Sequence, residues 1–570
     1  MHPCLNKLVL LISLLIASAF ACVVVSSGHD DSHITFWQAR TLLEYGELWN
    51  YNGERIEQSS SLLHVLLTAL LSGVGSINPV NAGYLVNILG GLACILLLYL
   101  SALQQANKLP GLAVLFVCSS TFFMYWMFSG METSLAAACV MLLLHQVTRR
   151  HLYLHFLPVF TTCLLLASVR PEMPVVLALF SFVWCLILLF FKNFRNAFVL
   201  SASTLLSIGF LLAFRLYYFD ALYPNPVGIK AAGATSNAIT SEVGEGLLYL
   251  GLLLGNPYTK YLLWLGIATY LFSALLATFV SIREKQTRPN MLAFNLFIAI
   301  YFFFVIFSGG DWMREGRFWV PLIAPFCLVL AFAVQSLKKP LLQISVVCLF
   351  LYLQAGHARI FFPNLNFGVP VWYEKKLAKQ LPGYTVFERH NREHLRDIHI
   401  IDSLQSLLPA MLAARQDDKP ITIMSKQMGM VSYHLASRYF GHIKIIDLGG
   451  LVENSVRDCP EAAIYGYGRQ GLGMDIAKYF ERLPYSTVSC DLPAPDIIFD
   501  VYGWGNRDLP ERLKKQGYIS VFNQYGQFSI PYGGDMSANQ LIAVHPRWLG
   551  KLQLSPQKLD FNLYQKSLFE

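Results

Sequence analysis

The sequence predicts an α-helical polytopic membrane protein of about 11 transmembrane helices that ends in a soluble α/β domain. Three observations predict it. The 570-residue chain is 55% hydrophobic and only 14% charged, with a mean hydropathy of +0.46, whereas soluble domains carry roughly 25% charged residues. Apolar runs of spanning length recur over residues 1–356, separated by short basic clusters. Beyond residue 356 the runs shorten and charges become frequent. The net charge of +8 raises nucleic acid as a ligand, but Lys and Arg cluster where topology signals belong, so no nucleic acid is expected.

Residues 8–25 follow Lys7 and form the first span, or alternatively a signal peptide with a cleavage site at Ala19-Phe20-Ala21. The many spans that follow favour an uncleaved anchor. Segments 80–103, 111–128, 134–147, 156–169, 174–191, 198–217, 261–281, 291–307, 318–335 and 341–356 each reach or approach the roughly 20 residues a span requires. Residues 62–71 are apolar but short; as a span they would invert every later loop, so they are expected to lie at the outer interface or to dip partly in. Arg149-Arg150, 192–195, 283–288 and Lys338-Lys339 then share the inner side, as the positive-inside rule asks.

This order divides the chain into a transmembrane domain, 1–356, whose first outer loop is 27–61, and a C-terminal domain, 357–570, on the outer, periplasmic side of a bacterial inner membrane. In the latter, "ITIMSKQ", "IKIIDLGG" and "DIIFDVY" read as buried strands and "DLPERLKKQG" as a short capped helix. Of 11 cysteines, only Cys459 and Cys490 fall in this domain, and in an oxidising compartment the pair invites a disulfide.

The polar, reactive residues gather on the outer side. In "SSGHDDSHITF" a hydrophobic run stops at Asp30 and Asp31. Carboxylates neither bind anionic headgroups nor lie in hydrocarbon, so a mere anchor would not place them there. One of them could deprotonate an attacking hydroxyl as general base, or the pair could help hold a divalent cation. The plainer alternative is that Asp31 or Ser32 caps the amphipathic helix that follows. His33 is a lesser candidate ligand; no metal-binding spacing accompanies it, and a surface or capping role is favoured.

"GGDWMREGRFWVP" sets Arg314 and Arg317 outside, against the positive-inside trend, where guanidinium forks match phosphate oxygens. Asp311 is a second carboxylate, or the acid that orients Arg314. Lys230 in "YPNPVGIKA" and Arg170 in "RPE" are further outer cations that could bind the same donor phosphate; Arg170 could equally pair with Glu172 or Glu132. In "SGMETS", Ser129 and Glu132 read as a capping box.

In their order, "DDSHITFWQARTLLEYGELWNYNGERIEQSSSLL", "SGMETSL", "RPE", "YPNPVGIKA", "GGDWMREGRFWVPL" and "MGMVSYHLASRYFGHIKIIDLGGLVE" resemble the GT-C superfamily of polytopic glycosyltransferases. Within it they resemble bacterial cell-wall arabinofuranosyltransferases that add terminal arabinose. The resemblance implies a polyprenyl-phosphate sugar donor consumed at the outer membrane face and a glycan or protein acceptor. It places the catalytic aspartate at Asp30 or Asp31 and the donor phosphate against Lys230, Arg314 and Arg317. Ser32-His33 and Pro226-Val227 depart from the relatives' pattern, which leaves the sugar open among arabinofuranose, mannose, another pentose and an aminosugar. A flippase of lipid-linked sugars and a non-catalytic glycan-assembly partner are the competing readings; the former should show ionisable or broken-helix features near the bilayer midplane.

Overall fold

The structure, a computed structural model, describes residues 2–23, 30–105, 108–149, 154–227, 243–244, 246–247, 249–251, 257–283, 290–310, 316–361, 386–425, 428–447, 450–454, 495–502, 517–530 and 534–552. Its helices run in chain order as α1 (His2–Val23), α2 (Ser32–Tyr45), α3 (Leu62–Gly75), α4 (Pro79–Gln104), α5 (Gly111–Ser119), α6 (Thr121–Met127), α7 (Thr133–Val147), α8 (Phe156–Val169), α9 (Met173–Phe190), α10 (Phe194–Phe219), α11 (Pro257–Arg283), α12 (Asn290–Phe307), α13 (Val320–Ser336), α14 (Pro340–Phe361), α15 (Val386–Ala414) and α16 (Met430–Tyr439). The strands are β1 (Ile421–Ser425), β2 (Ile443–Asp447), β3 (Ile497–Tyr502), β4 (Ile519–Ile530) and β5 (Gly534–Val544).

The chain forms two compact units. One comprises Met1–Gly28, Ser61–Leu222 and Ser236–Val369; the other comprises His29–Ser60, Tyr223–Thr235 and Pro370–Glu570. The division differs from a cut at residue 356: the first outer loop and the YPNP segment belong with the C-terminal part of the chain.

In the first unit, six helices among the described residues are long and apolar enough, by length and composition, to cross a membrane; they lie in α1, α4, α9, α10, α13 and α14. Helices α7, α8, α11 and α12 carry shorter apolar stretches. At one end of the bundle Asn6 Oδ1 accepts the Gly111 N–H at 2.8 Å, Gln335 exchanges hydrogen bonds with Leu109, and His145 meets Ser101 and Gln104 at 3.1 Å each. The motifs around Glu132, Arg170 and Phe318 meet at the other end. Helix α3, of 14 residues, is only about 21 Å long. Its His64 ring bonds the Gly83 carbonyl in the second turn of α4, at 3.2 Å, so it re-enters the end at which α4 begins.

The expected span 111–128 is broken. Ser120, with φ −72° and ψ 111°, separates α5 from α6. Three hydroxyl residues in a row, Ser119, Ser120 and Thr121, compete for the backbone there, and Gln354 Oε1 from α14 accepts the Thr121 N–H at 3.3 Å. Asn87 of α4 donates to the carbonyls of Trp126 and Met127 at 2.7 and 3.1 Å, which satisfies the end of α6 inside the bundle.

The second unit is built on a mixed sheet in the order β2-β1-β3-β5-β4. Strands β2, β1 and β3 are parallel neighbours, and β5 pairs antiparallel with both β3 and β4. Branched apolar side chains (Ile421, Ile423, Ile443, Ile445, Ile497, Ile498) are buried along the parallel strands, as a doubly covered sheet requires. The chain leaves β1 through α16 to reach β2 on one flank, while β3 lies on the other. The carboxyl edge of β1 is therefore a topological switch point, the place where open α/β sheets bind ligands.

The first-loop segment is part of this sheet's structure. The side-chain amide of Asn52 accepts the Ile445 N–H and donates to the Ile445 carbonyl, both at 2.8 Å, and so imitates a neighbouring strand on the open edge of β2. Asn50 donates to the Val452 carbonyl at 3.1 Å, and Asn225 of the YPNP segment bridges the carbonyls of Gly450 and Leu451 and the backbone at Glu57.

Candidate active site

The acidic pair stands at the start of α2. The Asp30 and Asp31 carbonyls accept the His33 and Ile34 N–H groups at 3.1 and 3.2 Å, which turns the chain into the helix. Asp31 occupies the N-cap position, yet its side chain makes no capping bond. Asp30 caps a different helix: its Oδ1 accepts the Met430 N–H at 2.6 Å, at the first turn of α16 and beside the carboxyl edge of β1. Unpaired N–H groups and the helix dipole stabilise an anion at such a terminus and fix its orientation.

The surroundings allow little movement. A Cβ on Gly429 would collide with the Asp30 backbone carbonyl, so glycine is required for this approach. The Tyr51 hydroxyl donates to the Gly429 carbonyl at 3.3 Å. Burial, followed by the fields of Asp30, Tyr433, Asp447 and Asp31, holds the Tyr51 hydroxyl protonated well above the ordinary tyrosine range. Asp447, at the end of β2, accepts the N–H groups of Leu451 and Val452 at 2.6 and 2.9 Å, while Glu453 accepts the Asp447 N–H at 2.9 Å. An acidic rim thus surrounds the carboxyl ends of β1 and β2.

His33 is not a surface residue. It is buried against Phe36 and Tyr433, with ring centroids 5.4 and 5.6 Å away, and His434 lies at 6.3 Å. The aromatic wall of α16 takes up its ring, which the polar neighbours in sequence did not foretell. Among the described residues, no group of three or more His, Cys, Asp or Glu side chains is arranged to hold a metal ion.

The first unit carries a separate charged cluster. Arg170 donates from Nη1 to Glu132 Oε1 at 2.6 Å and from Nε to Glu172, and Tyr301 donates to Glu172 at 3.4 Å. Arg170, Glu132 and Glu172 are 4%, 3% and 9% exposed, so this is a buried triad of one cation and two carboxylates. The capping box expected at Ser129 does not form. Glu132 is drawn to Arg170, and Ser129 instead accepts the Met131 N–H at 3.1 Å. The Arg170 and Arg317 guanidinium groups lie 4.8 and 5.6 Å from the same ring, Phe318, and Arg317 is itself buried in a short 3-10 turn, Arg317–Trp319. The guanidinium of Arg170 is therefore engaged by both acids that the sequence offered as its alternative partners.

Lys230, Asp311, Arg314, Cys459 and Cys490 lie outside the described residues. Sequence reasoning passed over Tyr51, Gly429, Asp447 and Glu453. Only the glycine carried a signal, as the small residue between a strand and a helix in "SKQMGMVSY".

Fold and site together define a multi-pass membrane protein whose C-terminal α/β unit incorporates an acidic first-loop segment. No protein-family model matches the sequence, and no curated protein matches it. Among solved structures, the chain is similar to ArnT from Cupriavidus metallidurans, at 12% identity over 94% of this chain and 97% of that one, with a TM-score of 0.49 in the apo state and 0.48 with undecaprenyl phosphate bound. It is also similar to the archaeal oligosaccharyltransferase AglB from Archaeoglobus fulgidus in complex with an inhibitory peptide and a dolichol-phosphate, at 12% identity over 91% of this chain and 73% of that one, with a TM-score of 0.43. Both neighbours belong to the GT-C superfamily.

Proposed function

We propose that the protein is a GT-C-type glycosyltransferase that moves a sugar, arabinofuranose as the first choice, from a polyprenyl-phosphate donor to a cell-envelope glycan or protein on the outer face of the bacterial inner membrane. The observation that carries this reading is the pair Asp30-Asp31, held at the carboxyl edge of β1 with Asp30 anchored on the Met430 N–H at 2.6 Å.

The chemistry needs few parts. The acceptor hydroxyl attacks the anomeric carbon, the bond from that carbon to the phosphate oxygen breaks, and the phosphate leaves with the electron pair. The hydroxyl proton passes to a carboxylate, for which Asp30 and Asp31 are the candidates. An amide at a helix start holds such a carboxylate in one orientation, as a positioned base requires. Lys230, Arg314 and Arg317 are assigned to the leaving phosphate. Arg170, engaged by Glu132 and Glu172, is assigned to holding the ring of Phe318 rather than to the phosphate.

Flipping of lipid-linked sugars is the second reading, and the break at Ser120 is the observation in its favour. One experiment separates the two. Purified protein is incubated with a panel of synthetic polyprenyl-phosphate sugars, comparing wild type with Asp30→Asn and Asp31→Asn. Transfer or slow donor hydrolysis that falls at least about a hundredfold in one variant, with folding unchanged, supports the transferase. Donors left intact by wild type, in a detergent where a known lipid-linked-sugar enzyme is active, refute it.

A further inference from the structure

Within the second unit, α2 and α16 lie side by side and run the same way. Asp30 meets Met430 at their starts, His33 and Trp37 pack on Tyr433 midway, and Tyr45 meets Phe440 at the far end, with ring centroids 5.4 Å apart. At that end Tyr45, Trp49 and Phe440 form a triangle. Tyr45 and Trp49 are 5.2 Å apart and Trp49 and Phe440 6.0 Å, and the three planes differ by only 22–34°. Tyr45 is 47% exposed, and Trp49 and Phe440 are half-buried. The same stretch of chain carries two ion pairs: Arg40 pairs with Glu44 at 2.8 Å, and Arg55 clasps both oxygens of Glu47 at 2.7 and 3.1 Å.

A sugar ring has an apolar C–H face and an equator of hydroxyls. Exposed aromatic surface at Tyr45, in a stretch that also carries guanidinium and carboxylate groups, complements both. We propose that this platform binds the acceptor as an oligosaccharide, several rings away from the hydroxyl that reacts, with α2 as the spacer. This inference rests on the transferase reading. From Asp31 to Tyr45 is 14 residues, about 20 Å along the helix, or roughly the length of four sugar rings. Arg40 and His434, both partly exposed, lie between the two ends.

The test is equilibrium binding of arabinofuranosyl and mannosyl oligosaccharides of one to six rings to the full-length protein in detergent, with no donor present. Affinity should rise with length up to about four or five rings. Tyr45→Ala and Trp49→Ala should weaken the longer ligands by about tenfold and leave the shortest unchanged; Trp49→Phe should retain most of the affinity. Tyr45 is half exposed, so its truncation tests the platform without opening the core. Wild type that binds none of these glycans, binding that ignores length, or variants that bind as wild type does would each overturn the proposal. So would loss of retention on anionic vesicles in Tyr45→Ala with glycan binding intact. Because the donor is absent, glycan binding that persists in a protein inert toward every donor would sink the transferase and keep the platform. Transfer that proceeds without length dependence would do the reverse.

Discussion

Arg170→Gln should damage the protein far more than Glu132→Gln, because two buried carboxylates share one cation. Losing one member of a buried ion pair typically costs about 3–5 kcal/mol, chiefly through the stranded charge. Arg170→Gln breaks two such pairs at once and strands two like charges, so a loss of about 5 kcal/mol is expected, comparable with the entire stability of many domains. Glu132→Gln keeps an oxygen for the Arg170 Nη1 bond, now at 2.6 Å, and leaves Arg170 and Glu172 as a one-to-one pair. Its cost should be about 1 kcal/mol. The double variant should be more stable than Arg170→Gln alone, since one stranded carboxylate is removed. The assay is the apparent thermal midpoint of each purified variant in one detergent. Equal damage from Glu132→Gln and Arg170→Gln, or a double variant worse than either single change, would refute the shared-cation account.

The edge clamp gives a second expectation. Asn52→Leu deprives both backbone groups of Ile445 of their partners, at roughly 1–3 kcal/mol for each group left buried; amide exchange over β2 should quicken while that of the first unit is unchanged. The Tyr51 hydroxyl supplies a third. Its pKa is raised in the fold, so its contribution to stability is complete below the unfolded value of 10.0 and is lost as pH rises from there through the raised value in the fold. Tyr51→Phe should lower the midpoint at neutral pH through the lost bond to Gly429, and flatten its fall above about pH 10. A variant as steep as wild type in that range would show that another group titrates there.

Composition and apolar run length made the helical, membrane-class architecture legible, since both report directly on the cost of burying polar backbone in lipid. The three parallel strands were legible for a similar reason: "ITIM", "IKII" and "DIIF" are too apolar for a one-sided sheet. The antiparallel pair β4 and β5 was not, because Asn, Gln, Ser and Gly interrupt any alternation in "ISVFNQYGQFSI" and "GDMSANQLIAV", and their pairing is decided by neighbours rather than by propensity. At Ser120 a local competition for backbone hydrogen bonds defeated an otherwise continuous apolar run. At the site, residue types were informative and partners were not. The sequence marked Asp30 as unusual, but nothing near it pointed to Met430, 400 positions away.

That separation bears on how the protein must be made. Asn52 and Ile445 lie 393 residues apart, so the strand edge and the segment that seals it leave the ribosome at very different times, with every apolar helix of the first unit after α1 made in between. The loop must wait, and late long-range closure is the slow kind. Conversely, the C-terminal part produced alone would expose β2 as a bare edge, a template for pairing with other copies of itself. A soluble version suited to crystallisation or glycan screening should therefore carry residues 30–60 as a graft or as a co-expressed peptide.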